Sequence, residues 1–401
     1  MSSAPLTLPC ACTGAVVRVS PDHVDFSDVA ITKEVYGVKE VYLKSPFYKK
    51  LTPPGVSSVF NVSDTHLHRR YRRLLSGGMS ESSLNSMYPA IQANVNLAIQ
   101  NMRDEMKQRG AADVFKWWLF MAADIIGELT FGESLRMLEQ KRKNQHTLDL
   151  ENAAFVSALR ATFPAFLFLS KILPLPVLKR AASATMRAYR DAEESVARYR
   201  RLEQADPTTA KPTLFSKLYQ ASEDDQLSLQ ETRDNAMAYM VAGSDTTSNS
   251  LTYLVWAVCK HPHVKATLLQ ELATSLPSDD DGFGDRELKQ LPYLNAVIDE
   301  TLRIYGAAAS ALPRVVPPGG ASLAGYWLEG GTTVSSQAYS LHRDPVTFPR
   351  PEVFDPSRWE APTKAMKDAF FAFGGGARSK YLPSLWNLVV SSSTYLVLTP
   401  F

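Results

Sequence analysis

The chain begins with a short alternation of apolar and polar positions. In Gly14–Asp28 (GAVVRVSPDHVDFSD), Val17, Val19 and Val24–Phe26 alternate around a Ser-Pro-Asp turn, which predicts a short strand pair. From Asp64 to about Gln204 the period becomes helical. Apolar positions recur at i, i+3 and i+4 through Val114–Phe131 and Thr147–Ala161, with Asp64 placed as an N-cap. Gln204–Lys211 reads as a loop. A long helix is predicted to start at Ser228, where Ser228-x-x-Glu231 has the form of a capping box, and to run to Lys260 before His261-Pro262 stops it. Leu276–Leu291 is an acidic, Gly-containing loop, and Pro292 opens a further helix over Tyr293–Tyr305. Beyond Pro313 the pattern turns to strands: Arg314–Val316, Ser322–Leu328 and Thr332–Gln337, separated by Gly-Gly pairs. A length of 401 residues would suit two or three domains at roughly 150 each. No repeat or linker divides the chain, however, so the expectation is one mainly helical domain over residues 14–401 with a small β subdomain.

Composition narrows the class. Hydrophobic residues are 45% and charged residues 21%, which excludes a disordered chain. Lys plus Arg (43) nearly balances Asp plus Glu (41), leaving a net charge of +2 and no electrostatic footprint for nucleic acid. The three cysteines, Cys10, Cys12 and Cys259, are too few for a disulfide framework, and Cys10-x-Cys12 lacks zinc-site spacing. No apolar run reaches the roughly 18 residues of a transmembrane helix, and the N-terminus lacks the basic start of a signal peptide. The most apolar stretch, Phe163–Leu178, is broken by Pro164, Lys171, Pro174 and Pro176, which leaves peripheral contact with a bilayer open but not a straight crossing.

Four segments carry candidate chemistry. Ala242-Gly243-Ser244-Asp245-Thr246-Thr247 places poor helix formers in the middle of the long helix, between apolar flanks. A threonine there can bond the carbonyl one turn back and bend the helix, a small neighbour leaves room for a ligand against the backbone, and Asp245 suits proton delivery. A bent, well-packed core helix accounts for the same hexapeptide equally well. Glu300-Thr301-Leu302-Arg303 sets two opposite charges at i, i+3 on one helix face. Such a pair is usually a weak surface contact. Phe354-Asp355-Pro356-Ser357-Arg358-Trp359 supplies another arginine, and Glu300, Arg303 and Arg358 together would lock the β-rich end onto the helices. Phe371-Ala372-Phe373-Gly374-Gly375-Gly376-Ala377-Arg378-Ser379-Lys380 is a poor phosphate loop, since no Gly-Lys-Ser/Thr follows. Its glycines suit backbone lying close against something flat.

In this order the four segments resemble the cytochrome P-450 family of haem-thiolate monooxygenases. Weaker likeness upstream, in His68–Ser76 and Asp124–Gly132, resembles fungal members of secondary or xenobiotic metabolism. The resemblance implies the P-450 fold, haem as cofactor, O2 and a small lipophilic substrate, and electrons from an NADPH-cytochrome reductase. It implies that Asp245 and Thr246 relay protons to iron-bound oxygen, and that Glu300, Arg303 and Arg358 form a structural triad. His68, Arg72, Arg314 and Arg378 would meet haem propionates, as planar guanidinium forks suit carboxylates, and Phe373 would lie beside the haem. Residues 163–178 would fall in the helical pair that roofs the substrate channel. Family members sit at the endoplasmic reticulum membrane facing the cytoplasm; here the usual anchor and proline-rich hinge are absent, which predicts a cytoplasmic or peripheral membrane protein.

One position departs from the pattern. Where the family carries the cysteine whose thiolate binds iron, two residues after the arginine, this chain has Lys380. A neutral lysine amine lacks the electron push of a thiolate. Cys259 cannot substitute, since it lies 13 residues beyond Thr246 on the same helix, roughly 20 Å along the axis. Likeness ends near Ser379, residues 380–401 read as an aberrant tail, and only Thr394–Phe401 is faintly similar to the family's next helix. Weak or absent haem binding is therefore expected, and a catalytically inactive pseudoenzyme is the alternative to a monooxygenase.

Overall fold

The computed structural model describes residues 14–163, 176–206, 209–220, 226–275, 285–378 and 389–394. Strands β1 (Val16–Ser20) and β2 (His23–Phe26) form the antiparallel pair expected at the Ser-Pro-Asp turn. Between them and the later strands come β3 (Leu43–Lys44) and most of the helices. Strands β4 (Arg314–Val315), β5 (Ala321–Leu323), β6 (Tyr326–Leu328) and β7 (Thr333–Ser335) follow. One sheet has the order β1-β2-β7-β4-β3, with β2 parallel to β7 and the other neighbours antiparallel. The single strand expected over Ser322–Leu328 is instead the hairpin β5–β6. Ala324 (φ 51°) and Gly325 (φ 81°) both take the left-handed conformation that a two-residue hairpin turn requires, and this splits the run.

The helices start where their caps dictate. Asp64 accepts the Leu67 amide and opens helix Thr65–Ser76. Ser228 and Glu231 close a full capping box and open the central helix, Leu229–Lys260. Val114–Phe131 is helical over the predicted span, while the period over Thr147–Ala161 belongs to a slightly longer helix, Gln145–Thr162. The expected loop from Gln204 begins later, as helix Pro176–Ala205 runs into it, and the acidic loop contains a short helix, Asp285–Lys289. Most of the apolar segment 163–178, namely 164–175, lies outside the described residues. Among the described residues no helix is long and apolar enough to cross a membrane.

Most buried apolar side chains form one core among the long helices, with Trp118, Ile91, Met121, Met240 and Leu251 essentially sealed from solvent. At Gly243 a Cβ would stand 3.0 Å from Cγ1 of Ile126, so this glycine lets the central helix approach helix Val114–Phe131 closely. A second core under the sheet gathers Phe26, Tyr36, Val316, Val334, Leu341 and Phe371.

Part of the tail packs into the core: residues 389–394 (VVSSST) are helical and buried, and Val389 and Val390 belong to the main core. The Ser393 hydroxyl lies 3.6 Å from the Met121 sulfur. Truncating a sealed valine removes about two methylene equivalents at ~0.8 kcal/mol each and leaves a void. Val390→Ala should therefore lower the unfolding free energy by about 2 kcal/mol in urea titration. An unchanged midpoint would contradict the burial of this segment.

Candidate functional site

Glu300 is the most demanding residue of the site. Its side chain is fully buried on helix Pro292–Tyr305, whose first turn carries Pro292 as expected. Arg303 on the same face donates to it from Nε (2.8 Å) and Nη2 (2.9 Å), a bidentate pair. Arg358 Nε (3.0 Å), the Asp355 amide (2.9 Å) and Trp359 Nε1 (2.9 Å) complete the shell. The Glu300–Arg303 spacing is thus the heart of a buried junction rather than a surface pair, and FDPSRW supplies three of its five donors.

The junction extends to the glycine-rich loop through a residue that motif reasoning missed. Arg303 Nη1 donates to the His342 carbonyl at 2.7 Å. The His342 ring spans the gap: Nδ1 lies 3.0 Å from the Arg303 carbonyl and Nε2 accepts the Phe371 amide at 2.8 Å. These partners require the tautomer protonated at Nδ1. Burial holds His342 neutral, with its pKa pushed down to about 3. The sequence signal was a lone histidine, His342-Arg343-Asp344-Pro345, with no metal-like spacing to mark it.

The loop then turns through Gly374 (φ 75°) and Gly376 (φ 63°). The expectation that its glycines lie against something flat is met by protein: a Cβ on Gly376 would fall 1.8 Å from the Tyr36 carbonyl oxygen, and one on Gly375 would fall 2.9 Å from the Phe371 ring. Phe373 is half-buried and packs on the main core. Ser379 and Lys380 lie outside the described residues.

Arg378 reaches from this loop into a pocket of buried cations. Its side chain is 3% exposed, and it donates to the carbonyls of Val62 (2.6 Å) and Ser63 (3.0 Å) and to Glu40 Oε1 (2.6 Å). Lys44 and Arg314, both buried, stand directly opposite each other across the β3–β4 pair. Like charges in that register repel. Lys44 donates to the Phe60 carbonyl and lies over the rings of Tyr48 and Phe60. Arg314 sits over the Tyr36 ring, 5.2 Å from its centroid, yet its buried Nε and Nη1 donate to nothing among the described residues. His68 faces the same cluster from helix Thr65–Ser76, with half-buried Arg72 one turn on. Burial first, then the charges of Arg378, Lys44, Arg72 and Arg314, push the His68 pKa down to about 3. Burial, Arg314 and Arg378 likewise push the Lys44 amine well below its ordinary value. Two buried guanidiniums, Arg314 and Arg378, face one buried carboxylate, Glu40, and Arg314 keeps two unpartnered donors among the described residues, so the donor set fits a carboxylate such as a haem propionate. Lys44, Tyr36 and Glu40 lie in none of the sequence motifs; only their burial around Arg314 reveals them.

On the central helix, Thr246 Oγ1 donates to the Ala242 carbonyl at 2.7 Å, the back-bond its sequence context predicts. Ser244, Ser250 and Thr252 make the same turn-back contact with Met240, Thr246 and Ser248. Asp245 lines a cavity of about 40 Å3 with Leu119, Ser244 and Glu151. Burial and the nearby Glu151 raise its carboxyl pKa above the usual range.

The buried Glu300 junction, the cluster of Lys44, Arg314 and Arg378, and an unbroken central helix that carries Gly-Ser-Asp-Thr-Thr sit together in one mainly helical fold. The sequence model of the family described as Cytochrome P450 matches residues 14–379, and the chain belongs to that family of oxidoreductases. It is 42% identical to the cytochrome P450 monooxygenase orf2 of Aspergillus niger, over 97% of this chain and 78% of that protein. It is 44% identical to the cytochrome P450 monooxygenase tazI of Aspergillus terreus, over 91% of this chain and 74% of that protein. Averantin hydroxylase of Dothistroma septosporum is 31% identical over 86% of this chain and 64% of its own length.

The two buried histidines set an acid limit. A histidine whose folded pKa lies near 3 takes up its proton in the unfolded chain first, at about 6.5, so stability falls as pH drops from about 6.5 towards 3. The slope of unfolding free energy against pH in that window should shrink by about one proton each in His68→Asn and His342→Gln. An unchanged slope in both variants would show that these rings are not buried neutral.

Proposed function

We propose that this chain is a haem-dependent monooxygenase by descent, of the kind used in fungal secondary metabolism. It would insert one oxygen atom of O2 into a small lipophilic metabolite, with electrons from an NADPH-cytochrome reductase. What supports this reading most is the buried cation cluster in which Arg314 keeps two sealed, unpartnered donors. Arg314, Arg378, His68, Arg72 and Lys44 would hold the haem carboxylates, and Phe373 would pack beside the ring. When bound, haem supplies the activation of O2 that no side chain provides.

Around it the chain's own residues divide the work. Thr246 spends its hydroxyl proton on the Ala242 carbonyl, which leaves its oxygen as an acceptor that orients a neighbouring donor. Asp245, with its pKa raised, is the group suited to carry a proton between solvent and that position. The Glu300 junction holds the loop that delivers Arg378. Contact of residues 163–178 with the cytoplasmic face of the endoplasmic reticulum membrane would bring a lipophilic substrate within reach.

Lys380 favours a second reading, an inactive chain that keeps the fold. Without a thiolate, Arg314, Arg378 and their neighbours would hold haem through its carboxylates alone, weakly and without the electron push that monooxygenation uses. The reduced, carbon-monoxide-treated spectrum of the purified chain should accordingly lack the red-shifted Soret band of thiolate ligation. Lys380→Cys alone should not produce a turnover-competent enzyme, because residues 381–401 also differ from the family. A red-shifted band in the parent chain would restore the active-enzyme reading.

A further inference from the structure

Glu40 holds the position that a ligand carboxylate would be expected to take. Its backbone lies in the left-handed region at φ 52°, which a non-glycine residue adopts only when its surroundings enforce it. Its side chain is 3% exposed. Oε1 accepts from Arg378 Nε at 2.6 Å and lies 3.3 Å from His68 Nδ1, while Oε2 lies 3.4 Å from Arg69 Nε. Neither the His68 nor the Arg69 approach has hydrogen-bond geometry, and among the described residues Oε2 accepts from nothing. Glu300, equally sealed, collects five donors; Glu40 collects one. Charge holds it there, but the geometry is only partly satisfied.

Arg378 shows what must change when an external carboxylate arrives. Its single Nε–H goes to Glu40 and one N–H of each Nη goes to Val62 or Ser63, so a bidentate approach on the Nε edge meets Glu40. The two carbonyls are fixed in the backbone, so Glu40 is the partner that side-chain rotation can release. A second carboxylate beside Glu40 would repel it in a poorly solvated site. We propose that Glu40 is a built-in surrogate for a haem carboxylate: it neutralises the Arg378 end of the pocket in the haem-free chain and competes with the propionate that replaces it. The inference rests on the haem reading of the cation pocket. It makes haem affinity in this chain a balance between an internal and an external carboxylate.

The test is hemin titration of the haem-free chain, followed by Soret absorbance and tryptophan quenching at neutral pH. Glu40→Gln keeps the shape and the acceptor for Arg378 but removes the competing charge, and should lower the hemin Kd about tenfold. Glu40→Asp keeps the charge and should stay within about threefold of the parent. Glu40→Gly, which also relieves the left-handed backbone, carries the comparison if Glu40→Gln fails to fold. Parent-like or weaker hemin binding by the neutral variants overturns the proposal while leaving the haem reading intact. Absence of hemin binding in parent and variants alike overturns both.

Discussion

Glu300 is a carboxylate removed from water, and the junction it organises governs the rest of the molecule. An ion of this kind is tolerable in a core only when its lone pairs are saturated, and stripping one partner from such a site typically costs about 3–5 kcal/mol. Here the saturation comes from two places in the sequence: Arg303 on the same helix, and Asp355 with Arg358 and Trp359 in one short turn. Arg303 passes the constraint on to His342, and the neutral His342 ring passes it to the Phe371 amide. The glycine-rich loop is therefore anchored at its first residue by a chain of directional bonds leading back to a helix in the main core. Its seven-residue reach from Phe371 to Arg378 is set from that anchor.

Arg378 arrives in a pocket built on the opposite principle. Around Glu300 the carboxylate is saturated by five donors. Around Arg314, Lys44 faces it across a strand pair, and two buried guanidinium nitrogens have no partner among the described residues. The two sites are linked by the loop, so the junction's rigidity becomes the pocket's preorganisation.

Much of this was legible in the sequence where a local rule carried it. Asp64 and the Ser228–Glu231 box fixed helix starts through side chains a few residues apart, and the period over Val114–Phe131 located a buried helix. Glu300–Arg303 and Arg358 could be paired because the motifs that contain them occur in a known order. Other features depended on contacts between distant segments. Nothing near Glu40 or Lys44 announces that β3 would lie against β4 and set Lys44 opposite Arg314. His342 had no partner in sequence, only in space. The small residues around Gly243 fitted either ligand room or close helix packing, because sequence cannot say which neighbour stands beside them; Ile126 is one. The buried 389–394 segment gave little signal because small serines carry little apolar periodicity; in the fold the Ser393 and Thr394 hydroxyls bond back to the Val389 and Val390 carbonyls.

The central claim is that the buried cations recognise carboxylates. It is tested most directly by comparing, on the same purified chain, the binding of an iron porphyrin dicarboxylate and of its dimethyl ester, which keeps the ring and iron but caps both charges. The account predicts at least tenfold weaker binding of the ester, with the gap narrowing in Arg314→Gln. Equal affinity for the two would mean that the pocket of Lys44, Arg314 and Arg378 is not what holds the ligand.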